Sequence, residues 1–188
     1  MANDLDCLVS VDVESSGPVP GDYSLLSLGA CVVGRREQTF YAELKPLNDN
    51  AVPEALEVTG FDLAKLRLTG EEPQQAITRF ADWVRAVSST AKPVFVGFNA
   101  GFDWSFVNWY FHHFLGDNPF GFAPLDIKSY YMGRSGCRWE ETKSSRIPAE
   151  FQATQPPTHH ALADALAQAE MFEKMMRQPP PTRGGARR

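Results

Sequence analysis

Asp12 and Glu14 stand two residues apart at the end of the apolar run Leu8-Val9-Ser10-Val11, within Asp12-Val13-Glu14-Ser15-Ser16-Gly17. On a β-strand side chains alternate faces, so both carboxylates point one way while Val11 and Val13 point into packing on the other. Two like charges sharing one small space are relieved by protonation, by solvent at a strand end, or by a bound cation. The tripeptide alone does not choose among these. Three more residues carry related chemistry: Asp103 at a strand-to-helix turn, and His159 with Asp164 five residues later around the start of the last helix. Each also has an ordinary explanation, Asp103 as a helix cap, His159 as a loop residue and Asp164 as a first-turn acid favoured by the helix dipole. Their joint order is more specific than any one of them: Asp-x-Glu on a strand, an acid after Phe-Asn-Ala-x-Phe, then His and Asp opening a C-terminal helix.

The elements that must position these residues follow from periodicity and turn signals. Residues 7–14 read as a first strand and 15–23, with Gly17, Pro18, Pro20 and Gly21, as a loop. Residues 24–33 and 38–44 are a second and third strand, joined by a hairpin at Gly34-Arg35-Arg36-Glu37. Pro53-Glu54-Ala55-Leu56-Glu57 predicts a short helix, ended by Gly60. From Pro73, apolar residues at Ala76, Ile77, Phe80, Trp83, Val84 and Val87 recur at helical spacing. Pro93 to Phe98 is a buried strand that turns through Asn99-Ala100-Gly101 into a helix carrying Trp104, Phe106, Val107, Tyr110, Phe111 and Phe114. Pro124 to Ile127 is a brief strand with Asp126 as a structural acid bonding backbone near the site, and 134–158 is expected to be an irregular, mobile surface loop. The last helix spans about His160 to Met176, with Leu162, Leu166, Ala169, Phe172, Met175 and Met176 inward. The Pro/Gly/Arg-rich residues 178–188 read as a disordered tail. Three strands followed by alternating helix and strand indicate an α/β fold with a mixed sheet.

A chain of 188 residues, 43% apolar and 12% aromatic, can fill the core of one domain. No stretch approaches a membrane span, and the acidic N-terminus has no leader-like apolar run, so no membrane partner is expected. Cys7, Cys31 and Cys137 are widely spaced without a Cys-x-x-Cys pair, which disfavours a disulfide framework or a cysteine zinc site and fits a cytoplasmic setting. A net charge of −5 argues against coating nucleic acid by charge alone, but leaves room for a local basic face or a metal-dependent enzyme. Such a face is available between Lys128 and Arg146, where Lys128, Arg134, Arg138, Lys143 and Arg146 outnumber Glu140 and Glu141.

Asp12 to Gly17, Phe98-Asn99-Ala100-Gly101-Phe102-Asp103-Trp104-Ser105-Phe106 and His159-His160-Ala161-Leu162-Ala163-Asp164-Ala165 resemble the three exonuclease motifs of the DEDDh 3′→5′ exonucleases. That superfamily includes the proofreading subunits of bacterial replicative polymerases, oligoribonuclease and ribonuclease T. The resemblance spans residues 7 to about 176, and Pro53 to Asp62 and Asn118-Pro119-Phe120 are most similar to the ribonuclease T branch. It implies a ribonuclease H-like fold: a mixed five-stranded sheet, three antiparallel strands then parallel ones, flanked by helices, with residues 1–177 as one exonuclease domain.

The resemblance further implies that Asp12, Glu14, Asp103 and Asp164 hold two divalent cations, Mg²⁺ or Mn²⁺, about 3.5–4 Å apart. Hard oxygen ligands suit those ions. His159 is then the general base that takes a proton from the attacking water, its ordinary pKa lying near neutrality. The resemblance implies the 3′ end of single-stranded RNA or DNA as substrate and a nucleoside 5′-monophosphate as product. Backbone at Ser15 and Ser16 lines the terminal nucleotide's pocket, Glu14 reaches its 3′-hydroxyl, and Phe102 and Phe122 match stacking positions of ribonuclease T. Two other stacking positions fall on Pro18 and Val58, so the ribonuclease T base preference is not carried over. A homodimer is also implied. The rival reading is a catalytically idle nucleic-acid-binding module on the same fold, which the intact set of five catalytic residue types disfavours.

Overall fold

The structure, a computed structural model, describes residues 5–178. The expected tail lies outside these from residue 179 onward. Five strands form one sheet: β1 (Asp6–Ser15), β2 (Leu25–Val32), β3 (Arg35–Glu43), β4 (Lys92–Gly97) and β5 (Leu125–Asp126), in spatial order β3-β2-β1-β4-β5. β1, β2 and β3 are antiparallel neighbours, while β1–β4 and β4–β5 are parallel. This is the α/β mixed sheet that the sequence predicts.

Alternation along β1 divides the sheet's two faces. Val9, Val11 and Val13 are buried in the main core with Leu28 and Ala30 of β2, against α3 (Pro73–Ser88) and α4 (Gly101–Leu115), which contribute Ile77, Phe80, Phe106 and Phe111. Ser10, Asp12 and Glu14 face the other way, toward α6 (Ala161–Arg177), and the Ser10 hydroxyl donates to the Ala165 carbonyl at 2.8 Å. A second core unites Val96 of β4 with Ile127 and Tyr131 of α5 (Ile127–Ser135) and with Met171, Phe172 and Met175 of α6.

Gly29 of β2 pairs with Asp12 across the ladder. A Cβ placed on it would lie 2.2 Å from the Ala161 carbonyl carbon and the Leu162 nitrogen. The first turn of α6 therefore rests directly on the sheet backbone, a close approach that only glycine permits.

Two helices lie where the sequence reading has none. α2 (Leu63–Thr69) follows α1 (Pro53–Thr59), and its N-cap Asp62 accepts from Ala64 N–H at 2.8 Å and Lys65 N–H at 3.2 Å. α5 is capped by Asp126, which accepts from Ser129 N–H at 2.8 Å. Both are short, so an apolar stripe is not developed, and the caps are their main signal. Gly60 ends α1 in the left-handed conformation, φ 71°, as the sequence predicts.

The expected surface loop at 134–158 is better anchored than its composition suggests. It contains two 3-10 turns, Trp139–Thr142 and Ser144–Arg146, and it buries Thr142, Ile147 and Phe151. Ile147 and Phe151 belong to the second core. Met176, expected inward, is exposed, and Met171 takes the buried place on that helix. No helix among the described residues is long and apolar enough to cross a membrane.

Candidate active site

Where β1 reaches the end of its apolar run, Asp12 and Glu14 project from the α6-facing side into a cavity of about 690 Å³. Asp103, His159 and Asp164 line the same cavity. Each arrives on a different element. Asp103 sits in the first turn of α4, and one of its carboxylate oxygens accepts the Val13 backbone N–H at 3.1 Å, which ties α4 to β1 between the two strand carboxylates. Asp164 sits in the first turn of α6 and accepts Thr158 N–H at 2.8 Å on one oxygen and His159 N–H at 3.0 Å on the other. The base candidate is thereby fixed through its own backbone, and His159 holds a left-handed conformation, φ 56°. Left-handed backbone away from glycine is uncommon and concentrates at functional sites.

Packing four carboxylates into one cleft has an electrostatic cost that the structure displays. Burial, with Asp103, Glu14 and Asp164 nearby, holds the Asp12 carboxyl well above the ordinary carboxylate range, despite a hydrogen bond donated by Gln168. Burial and then Asp164 push Glu14 up to about 7. Burial pushes Asp103 up to about 7, against the lowering effect of the Val13 N–H. Burial and neighbouring carboxylates both disfavour the charged forms, so protons or added cations would relieve the repulsion. One ligand atom each from Glu14, His159 and Asp164 lies within 4.8 Å of the others, a spacing that suits a metal ion. The carboxylate oxygens of Asp12, Glu14, Asp103 and Asp164 fit a hard divalent ion.

Gln168, one turn after Asp164, is a site residue that sequence reading missed. Its carbonyl oxygen accepts the Phe98 backbone N–H at 2.9 Å, which leaves its amide nitrogen facing Asp12. Its spacing of four from Asp164 on a helix was the available signal. Gly29 was likewise legible as a glycine inside an apolar strand. Asp126 is structural as predicted: it accepts the Ala100 N–H at 3.0 Å as well as capping α5. His160 is the N-cap of α6 and stacks on Tyr41, ring centres 4.7 Å apart.

The predicted substrate contacts divide. Phe102 is 37% exposed, packs on Phe106 and lines the cavity. Phe122 is 94% exposed, on the turn before β5, outside the cavity wall. Ser15 and Ser16 are buried and outside the lining. Ser16 donates its N–H to the Ser24 carbonyl and its hydroxyl to the Asn50 carbonyl, and accepts from Val52 N–H, so its backbone groups are engaged within the protein.

Comparison with known proteins agrees with this geometry. The exonuclease family model matches residues 9–172. The 3′-5′ DNA exonuclease Cap18 of Escherichia coli is 50% identical over 173 residues, 92% of each chain. The nuclease domain of 3'hExo, a DEDDh family member solved with rAMP, superposes with a TM-score of 0.74 at 15% identity, over 97% of this chain and 96% of that one. E. coli exonuclease I in complex with a dT13 oligonucleotide gives 0.69 at 17% identity, over 92% of this chain but 41% of the longer enzyme. At such identities the superpositions speak for the fold, and the family rests on the first two matches. The chain belongs to the exonuclease family and is a 3′→5′ exonuclease.

Proposed function

We propose that residues 1–177 form one exonuclease domain that removes nucleotides from the 3′ end of single-stranded nucleic acid, with DNA as the preferred substrate. The convergence of Asp12, Glu14, Asp103 and Asp164 in one cavity beside His159 carries this reading. The preference for DNA rests on the printed activity of the relative at 50% identity.

Asp12, Glu14, Asp103 and Asp164 would hold two divalent cations, Mg²⁺ or Mn²⁺. Bound there, the ions would supply Lewis-acid polarisation of the phosphodiester and offset charge on the leaving oxygen. His159 accepts the attacking water's proton on a ring nitrogen as the water oxygen bonds to phosphorus. The phosphorus–O3′ bond breaks, the leaving O3′ takes a proton from solvent so that the shortened strand regains a 3′-hydroxyl, and a nucleoside 5′-monophosphate is released. Glu14 orients the terminal 3′-hydroxyl, and Phe102 stacks on the terminal base, a contact worth about 1–3 kcal/mol and tolerant of base identity. Phe122 is a further stacking surface reached from outside the wall, and Ser15 and Ser16 set the course of the chain past Glu14. The enzyme acts in the cytoplasm as a homodimer; a monomer by light scattering at micromolar concentration removes the dimer and leaves the chemistry intact.

Matched 5′-labelled DNA and RNA single strands test this directly. With Mn²⁺ or Mg²⁺ we expect a ladder shortened from the 3′ end, faster on DNA; intact strands under both metals overturn the reading, and faster RNA cleavage overturns the preference. His159→Ala should abolish cleavage yet still bind Mn²⁺ in calorimetry. Loss of ion binding in that variant makes His159 a ligand and not the base.

A further inference from the structure

Outside the carboxylate cavity, one patch joins exposed aromatic surface to cationic charge. Trp139, at the head of a 3-10 turn, is 52% exposed, whereas Trp83, Trp104 and Trp109 pack against the main core. The Lys128 ammonium lies 4.2 Å from the centre of the Trp139 ring and donates to the Asn99 side-chain oxygen at 3.2 Å. Asn99 is itself a wall of the cavity, held in left-handed backbone at φ 64°. An unbroken path therefore runs from the cavity through Asn99 and Lys128 to Trp139. Ser144 and Ser145, a few residues beyond Trp139, return the same segment to the cavity wall.

The charge along this rim is opposite to that of the chain. Between residues 128 and 146 there are five cationic side chains and two carboxylates, on a molecule with net charge −5. Both carboxylates pair with Arg138, so the glutamates do not neutralise Lys128. An indole left half in water, with an ammonium over one face, offers its other face to a flat apolar ring. Aromatic faces joined to cations along a groove are the means by which single strands are held without regard to sequence.

We propose that Lys128 and Trp139 form a binding subsite for the single-stranded nucleic acid chain on the 5′ side of the scissile bond, Trp139 stacking on a base and Lys128 meeting a phosphate. This rests on the exonuclease reading above: a strand with its 3′ end in the cavity has only 5′-ward nucleotides left to meet the rim. Lys128 also places the first phosphate beyond the cavity, since it bridges Asn99 and Trp139.

The test compares a thymidine dinucleotide with a long oligothymidylate. Hydrolysis of the dinucleotide by the wild-type protein reports on the cavity alone, and failure to cut either probe would count against the exonuclease reading. The subsite is read from the ratio of kcat/KM for the long strand over the dinucleotide. That ratio should fall about ten-fold in Trp139→Ala and recover in Trp139→Phe, which keeps a stacking face. Fluorescence anisotropy with labelled oligothymidylate in Ca²⁺ gives affinity without turnover, and so decides the subsite even if the protein cuts neither probe. In that assay Lys128→Met should lower the slope of log affinity against log salt by about 0.7. Unchanged ratios, affinities and salt slopes in Trp139→Ala and Lys128→Met would overturn the subsite. Should Trp139→Ala lose its fold by circular dichroism, Lys128→Met still decides.

Discussion

Gln168 shows how one uncharged side chain can serve a cluster of charges. Its amide is oriented by the Phe98 N–H, so its donor end is committed to Asp12 before any ion arrives. Groups that orient metal ligands in this way are commonly worth ten- to hundred-fold in affinity or activity. Gln168→Leu is therefore expected to weaken Mn²⁺ binding by about ten-fold in calorimetry while the protein stays folded; unaltered affinity would mean that Asp12 is positioned without it. A second prediction concerns protons. Unfolded, Glu14 and Asp103 ionise in the ordinary carboxylate range, whereas folded and ion-free both ionise near about 7. Across that interval the folded chain binds more protons than the unfolded one, so rising pH removes stability. The carboxylate contribution in chelator should thus be present at about pH 4 and lost by about pH 8, seen as a falling melting temperature that Glu14→Gln flattens. A melting temperature that rises over this range instead would contradict the repulsion described for the cluster.

The elements explain both what was legible in the sequence and what was not. β1 could be read because alternation and the paired acids coincide, and α6 because its apolar period is long and its motif residues lie at its start. α2 and α5 were not, because seven and nine residues give too few turns for a stripe, and only Asp62 and Asp126 mark where they begin. The segment 134–158 looked like free loop because its anchors, Ile147 and Phe151, stand alone among polar residues. Phe151→Ala should cost about 3 kcal/mol by emptying part of the second core, which for a chain of this size lowers the melting temperature by roughly 9 °C. A change smaller than about 2 °C would return that segment to the surface. Gly29 is the other element-scale device, since the contact of α6 with the sheet depends on it. Gly29→Ala forces the helix start away from Asp12, and displacements of about 1 Å at a reacting centre can cost about a hundred-fold in rate. Near-wild-type cleavage by Gly29→Ala would show that the helix start can shift without disturbing the site.

At the scale of the whole molecule, an acidic protein must hold a polyanion. The cavity is negative, the rim beside it is positive, and divalent ions would neutralise the first while leaving the second untouched. Ion binding should therefore stabilise the entire fold: at about a hundred times the dissociation constant the gain is about 2.7 kcal/mol, or roughly 8 °C. Adding chelator should remove that gain, and Asp12→Ala should show little of it; equal melting temperatures with and without Mn²⁺ would argue against the ion site. The hydrogen bonds from Thr158 and His159 to Asp164 carry one more consequence. If Asp164 also holds an ion, as proposed, the two states would be reciprocal: whatever orders the tether would favour ion uptake, and ion uptake would order the tether by the same free energy. On the proposed mechanism, competence to abstract a proton would then depend on metal load, so an ion-starved protein would lose its electrophile and its base together.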